Sequence, residues 1–117
     1  MRKRNRPMST HCAIGIEMED GSITGCYVHY DGFEEHMVPA IESYIEKNTT
    51  TSLYILIARA QSKGGFRSFG EDNDLLDDCE PYVITSDNWS DDHMGTYAWY
   101  LINYNTGLID TTRRSYG

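Results

Sequence analysis

Alternation of apolar and polar positions is clearest at residues 11–30. In His11-Cys-Ala-Ile-Gly-Ile-Glu-Met18, Cys12, Ile14, Ile16 and Met18 fall on one face, the period of a half-buried strand. Asp20-Gly21 is a two-residue turn signal, because glycine takes the positive φ of a type I′ turn. Ile23 to Tyr30 then returns, and a two-residue turn pairs residues whose numbers sum to 41, Ile14 with Tyr27 and Ile16 with Gly25. The opposite face then pairs Ala13 with Val28, Gly15 with Cys26 and Glu17 with Thr24. Its small residues leave room for a helix or a ligand to approach closely.

After the Asp31-Gly32-Phe33 turn the period changes. Val38, Ile41, Tyr44 and Ile45 recur at helical spacing, and Pro39 suits a first turn. Asn48 to Thr51 breaks this helix, and Thr51 or Ser52 is placed to cap a second one with Leu53, Leu56, Ile57 and Ala60 inward. The β-branched content of 52–61 leaves a strand open as the alternative. Lys63-Gly64-Gly65 ends the segment, and Tyr82-Val83-Ile84-Thr85 reads as a short strand. Tyr97 to Tyr104, a turn at Asn105-Thr106-Gly107, and Leu108 to Thr112 form a second hairpin. Alternation puts Tyr97 and Trp99 on one face and Ala98, Tyr100 and Ile102 on the other. The expected class is α+β: an antiparallel sheet of two hairpins and an extra strand, with a helical pair on one face. Residues 1–8 read as a basic disordered tail and 9–117 as a single domain.

Charge changes this picture. The chain is net −8, yet Arg2, Lys3, Arg4, Arg6, Arg113 and Arg114 sit at its ends. Between Pro7 and Thr112, four cations face eighteen anions, a net −14. Such a body repels phosphate backbones, so direct nucleic-acid binding is not expected. No apolar run has the length of a membrane span. Three cysteines without a C-x-x-C pair fit a reduced compartment.

Two stretches resemble a family of small tailed-phage proteins. Ile16 to Ile23 matches "I-E-x-E-D-G-x-I", and Tyr27 to Phe33 matches "Y-V-H-x-D-G-[FY]", followed by a helix with Tyr44 near its end. The resemblance covers about residues 10–60 and implies an accessory role in the host cytoplasm. In size and element order the chain also resembles phage proteins that defeat Thoeris immunity by sequestering a cyclic ADP-ribose signal. No ligand residue of those proteins finds its counterpart here, so no site is carried over.

Candidate chemistry follows from residue type. The first expectation is a non-enzymatic anti-defence protein that sequesters a small signalling nucleotide, cyclic ADP-ribose-like or a cyclic oligonucleotide, which needs a ring for the base and arginines for phosphate. Arg59, Arg67, Arg113 and Arg114 are candidates for phosphate; Phe66, Trp89, Tyr97 and Trp99 for the base. The glycine loop Ser62 to Arg67 is a candidate phosphate cradle. Nine acids in residues 71–92, without one cation, support a second reading. There the protein blocks the nucleic-acid groove of a host defence protein, with Asp72, Asp74, Asp77 and Asp78 in place of phosphates. His29 with Asp31 can orient an imidazole or hold a metal, and Asp91-Asp92-His93 can meet a divalent ion. No nucleophile or third group is named, so no catalytic residue, cofactor or resident metal is expected. Aromatic mass on both faces of the last hairpin points to a homo-oligomer.

Overall fold

The computed structural model describes residues 10–77 and 79–114. The elements are β1 (His11–Glu17), β2 (Ile23–Val28), α1 (Glu34–Lys47), α2 (Thr50–Gln61) and β3 (Phe66–Ser68), followed by β4 (Asp74–Leu75), β5 (Ile84–Thr85), β6 (Thr96–Asn103) and β7 (Ile109–Arg113). The tail assigned to residues 1–8 lies outside the described residues, as does Asp78.

The fold is α+β, with a sheet in the order β4-β3-β2-β1-β6-β7 and β5 added to β2. The sheet is mixed, not antiparallel throughout. β1 runs parallel to β6 and β2 parallel to β3, while the remaining pairs are antiparallel. Parallel neighbours need a long crossover, and α1 with α2 supplies it between β2 and β3.

The first hairpin differs from the expected register by one residue. Its loop holds three residues, with Gly21 at φ +87° after a turn closed by the bond from Gly21 N–H to the Met18 carbonyl, 3.0 Å. The Asp20 carboxylate accepts from the Ser22 backbone and hydroxyl at 3.0 and 2.7 Å, which fixes the longer loop. Ile14 therefore faces Cys26 and Gly15 faces Gly25. A slip of one residue exchanges the faces of a whole strand. Cys26 and Val28 join Cys12, Ile14 and Ile16 under the helices, and Tyr27 turns to the second face.

Residues 52–61 are helical. The side chain of Thr49, not Thr51 or Ser52, caps α2 by accepting from Ser52 N–H at 2.9 Å. α1 starts at Glu34, so Pro39 lies inside the helix rather than in its first turn. Leu53, Ile57 and Ala60 of α2 and Met37 and Ile41 of α1 pack on the sheet with Phe66, Phe69, Tyr100 and Ile102. The Tyr100 hydroxyl donates to the Gly32 carbonyl at 2.7 Å within this core. A bulge opposite His11 and Cys12 puts Tyr97 on the helix side, so it does not share a face with Trp99. The second face carries a smaller cluster of Ala13, Ile84 and Trp99 under Tyr82 and Trp89.

Candidate functional site

A groove of about 490 Å³ opens at the end of β2. Its position follows from three hydrogen bonds, two of them between backbone groups. Gly65 accepts from Leu76 N–H at 3.0 Å, Gln61 accepts from Tyr82 N–H at 2.9 Å, and the Gln61 side chain donates to the Gly25 carbonyl at 2.8 Å. These hold the 76–82 loop beside the sheet. Tyr27 and His29 of the β2 end line one side of the groove, and Leu76, Pro81 and Tyr82 the loop side. Met94, Cys79 and Glu80 complete its rim.

The rings form a connected set. Tyr27 Oη lies 2.8 Å from His29 Nδ1, and His11 Nδ1–H donates to the His29 carbonyl at 2.7 Å. His11 and His29 stack at 4.8 Å, and Tyr27 and Tyr82 at 6.3 Å. Tyr82 Oη is 2.6 Å from Nδ1 of the buried His93. His93 Nε2 is 3.3 Å from the Trp89 carbonyl and so carries the proton, leaving Nδ1 to accept from Tyr82. Partial burial, then His11 and Arg67, hold His29 below its ordinary 6.5, so the imidazole is neutral at pH 7. Burial raises Tyr82, and Asp91 and Asp92 add to the rise. Among the described residues, Glu80 is therefore the one lining residue with a formal charge.

The rim is tied down by Asp92. Its carboxylate accepts from Gly95 N–H at 2.8 Å, from Thr96 N–H at 3.1 Å and from the Arg114 guanidinium. Arg114 Nε also donates to the Thr96 carbonyl at 2.9 Å. Between these anchors Met94 is held at φ +60° and stays 57% exposed. The Arg114 bond, and then the bond from Gly95 N–H, lower the Asp92 carboxyl from its ordinary 3.8. A carboxylate held low contributes stability that is full above its unfolded pKa and fades as pH falls through the folded one. Melting temperature measured against pH should thus show a fall below about pH 3.8 that Asp92→Asn makes shallower. An unchanged acid slope in Asp92→Asn would show that the tie adds nothing.

The residues assigned to a nucleotide do not form one site: Trp89 meets Trp99 and Arg113 meets Tyr97, but Arg59, Phe66 and Arg67 lie elsewhere. Arg59 is exposed on α2, and Phe66 is fully buried with its ring 5.3 Å from Phe69, leaving no open face for a base. Arg67 lies 4.0 Å from Asp74 and influences His29. Trp89 and Trp99 belong to the second-face cluster, where Trp99 Nε1 is buried without a hydrogen-bond partner. Arg113 bonds Tyr97 and lies 3.6 Å from Glu34, and Arg114 holds Asp92. The Ser62–Arg67 loop is no phosphate cradle. Gly65 N–H bonds the Ala60 carbonyl at 2.8 Å and Gly64 N–H the Gln61 carbonyl at 3.3 Å, the paired bonds of a Schellman helix end.

His29 and Asp31 do not form a strand pair, because β2 stops at Val28 and Asp31 turns at φ +59°. Asp92 and His93 are occupied by Arg114 and Tyr82, and no metal-binding group of three ligands occurs among the described residues. Cys12 and Cys26 are sealed in the core with thiols pushed well up by burial, whereas Cys79 is exposed. Asp74, the first residue of β4, and Asp72 and Asp77 on the loops beside it are exposed. Sequence reasoning missed the groove residues Tyr27, Tyr82 and Met94. The register places Tyr27 on the second face, but 55 residues separate it from Tyr82.

Comparison with protein-family models, curated proteins and solved structures finds no match. No helix among the described residues is long and apolar enough to cross a membrane.

Proposed function

We propose that this protein is a non-enzymatic binder that covers a basic, nucleic-acid-binding surface of a partner protein. In the phage setting that the resemblance implies, the partner is a host defence protein. One observation carries the reading: most carboxylates of the 71–92 stretch stand exposed and uncompensated on loops that the fold fixes. Glu71, Asp72, Asp77, Glu80, Asp87 and Asp91 are exposed and have no ion-pair partner among the described residues. Asp74 and Asp92 are within reach of Arg67 and Arg114. The loops are anchored at Leu76, at Tyr82, and at Thr85, whose N–H donates to Asn88 Oδ1 at 2.7 Å. A carboxylate array fixed in advance loses less freedom when it meets arginines and lysines. A nucleotide-sequestering site requires convergent arginines and rings, and here Arg67 and Arg113 sit at different parts of the fold. That separation is why the acidic surface, not the nucleotide, carries the proposal.

The test compares two sets of full-length variants in cells carrying a nucleic-acid-targeting defence. Changing Asp72, Asp74, Asp77 and Asp78 together to Asn should weaken inhibition about tenfold or more, the scale of a few interfacial charge pairs. Arg67→Ala and Arg113→Ala should leave it unchanged. Binding should also fall steeply between low and physiological salt. Loss of activity in the arginine variants with the four-Asn variant fully active would reject the reading in favour of a phosphorylated ligand.

A further inference from the structure

We propose that the groove beside Tyr82, floored by the buried Tyr27, receives an arginine side chain of that basic partner. The inference rests on the reading above and adds the pocket that reads the partner. A guanidinium is planar: it stacks on an aromatic face and at its edge bonds a carboxylate. The groove offers both. The Tyr82 ring is fixed through its hydroxyl by buried His93 at 2.6 Å, and Tyr27 is fixed by His29 at 2.8 Å. Tyr27 is 2% exposed and its ring lies 6.3 Å from that of Tyr82, 27° from parallel, so it backs the half-buried Tyr82 ring, which shares one concavity with Glu80. Met94 on the rim adds an adaptable thioether against the aliphatic stem.

Charge selects the sign of the occupant. Among the described residues Glu80 is the charged residue of the lining, and neutral His29 adds no cation to oppose a guanidinium. Asp91 and Asp92 act on Tyr82 from the loop side. A phosphate entering the groove would meet Glu80 and this negative field. Arg67, the cation that acts on His29, is itself 4.0 Å from Asp74. Volume agrees: about 490 Å³ accommodates one long side chain with a little of its backbone.

The experiment measures fluorescence anisotropy of a labelled nona-arginine peptide with the full chain at fixed salt. Glu80→Gln and Asp87→Asn remove the same charge, but Asp87 is not part of the groove lining. Glu80→Gln should weaken the peptide about fivefold or more, and Asp87→Asn less than about twofold. Tyr82→Leu should weaken it comparably. Because that variant risks misfolding, Met94→Ser at the exposed rim is the second probe and should cost about twofold. Nona-lysine should bind more weakly than nona-arginine, and nona-arginine should slow maleimide labelling of Cys79 while AMP does not. Equal effects of Glu80→Gln and Asp87→Asn would overturn the groove while leaving the acidic reading standing. Protection of Cys79 by AMP and not by the peptide would also overturn it. Failure of nona-arginine to bind the native chain at all would reject the acidic reading, and the groove with it.

Discussion

Gly65→Ala should destabilise the protein by about 3 kcal/mol or more, among the larger losses expected for a single residue. Three parts of the chain meet at Gly65. Its N–H closes α2 on Ala60, its carbonyl holds Leu76, and the next residue, Phe66, pairs with Val28 of β2. The crossing is so close that a Cβ would lie 2.2 Å from the Tyr27 carbonyl oxygen, with φ already at +124°. A methyl group there cannot be absorbed by rotating a side chain, because the opposing atom is backbone of a central strand. β3 must move off β2, and the bonds from His29 and Tyr30 N–H to the Phe66 and Arg67 carbonyls, at 3.0 and 2.9 Å, go with it. Gly21→Ala is the control. Gly21 has φ +87° but nothing within 4 Å, so only the left-handed backbone penalty of about 1 kcal/mol applies. Urea unfolding of both variants measures the difference through the midpoint at unchanged slope. Equal losses would mean that the crossing at Gly65 is not the tight point described.

What the sequence revealed and what it hid divide along a physical line. β1, β2, α1, β5, β6 and β7 were legible because each carries its own period or turn residues, and each boundary moved by only a few positions; for α2 the β-branched content of 52–61 left a strand open. The register of the first hairpin was not. Asp20-Gly21 fits a two-residue type I′ loop or a three-residue loop ending in glycine, and the Ser22 hydroxyl on Asp20 accompanies the second. That one residue decides whether Tyr27 or Cys26 faces the helices. The bulge at Tyr97 was equally silent, since it arises where β6 meets β1 and not within β6 itself. The groove was hidden for the same reason. Its walls come from Tyr27, Tyr82 and Met94, which local pattern cannot join and which the Schellman end of α2 and the Asp92 tie bring together. The acidic run alone pointed to its neighbourhood, by composition. Arginines spread through the sequence looked like a phosphate set only while their distances were unknown.

Gly15→Val should cost about 2–3 kcal/mol and drive Trp89 off the sheet. Of the small positions of the second face, Gly15 and Gly25 are covered by the chain's own Trp89. A Cβ built on Gly15 would lie 2.7 Å from Trp89 Cζ3 and 3.2 Å from an Ile23 methyl, and one on Gly25 would lie 3.0 Å from the same Trp89 atom. Valine adds two further methyl groups in that space. β1 is a central strand between β2 and β6, so the sheet holds its place and the Trp89 loop gives way. The displacement then spreads. The Trp89 carbonyl accepts from His93, and His93 fixes the Tyr82 hydroxyl, so the groove wall loosens with the loop. In a Trp99→Phe background Trp89 is the sole tryptophan, and its emission should shift to the red as the indole meets water. Gly15→Ala should give a smaller shift and a smaller loss, because the indole yields by a few tenths of an ångström. Unshifted emission in Gly15→Val, with stability kept, would show that Trp89 does not rest on β1.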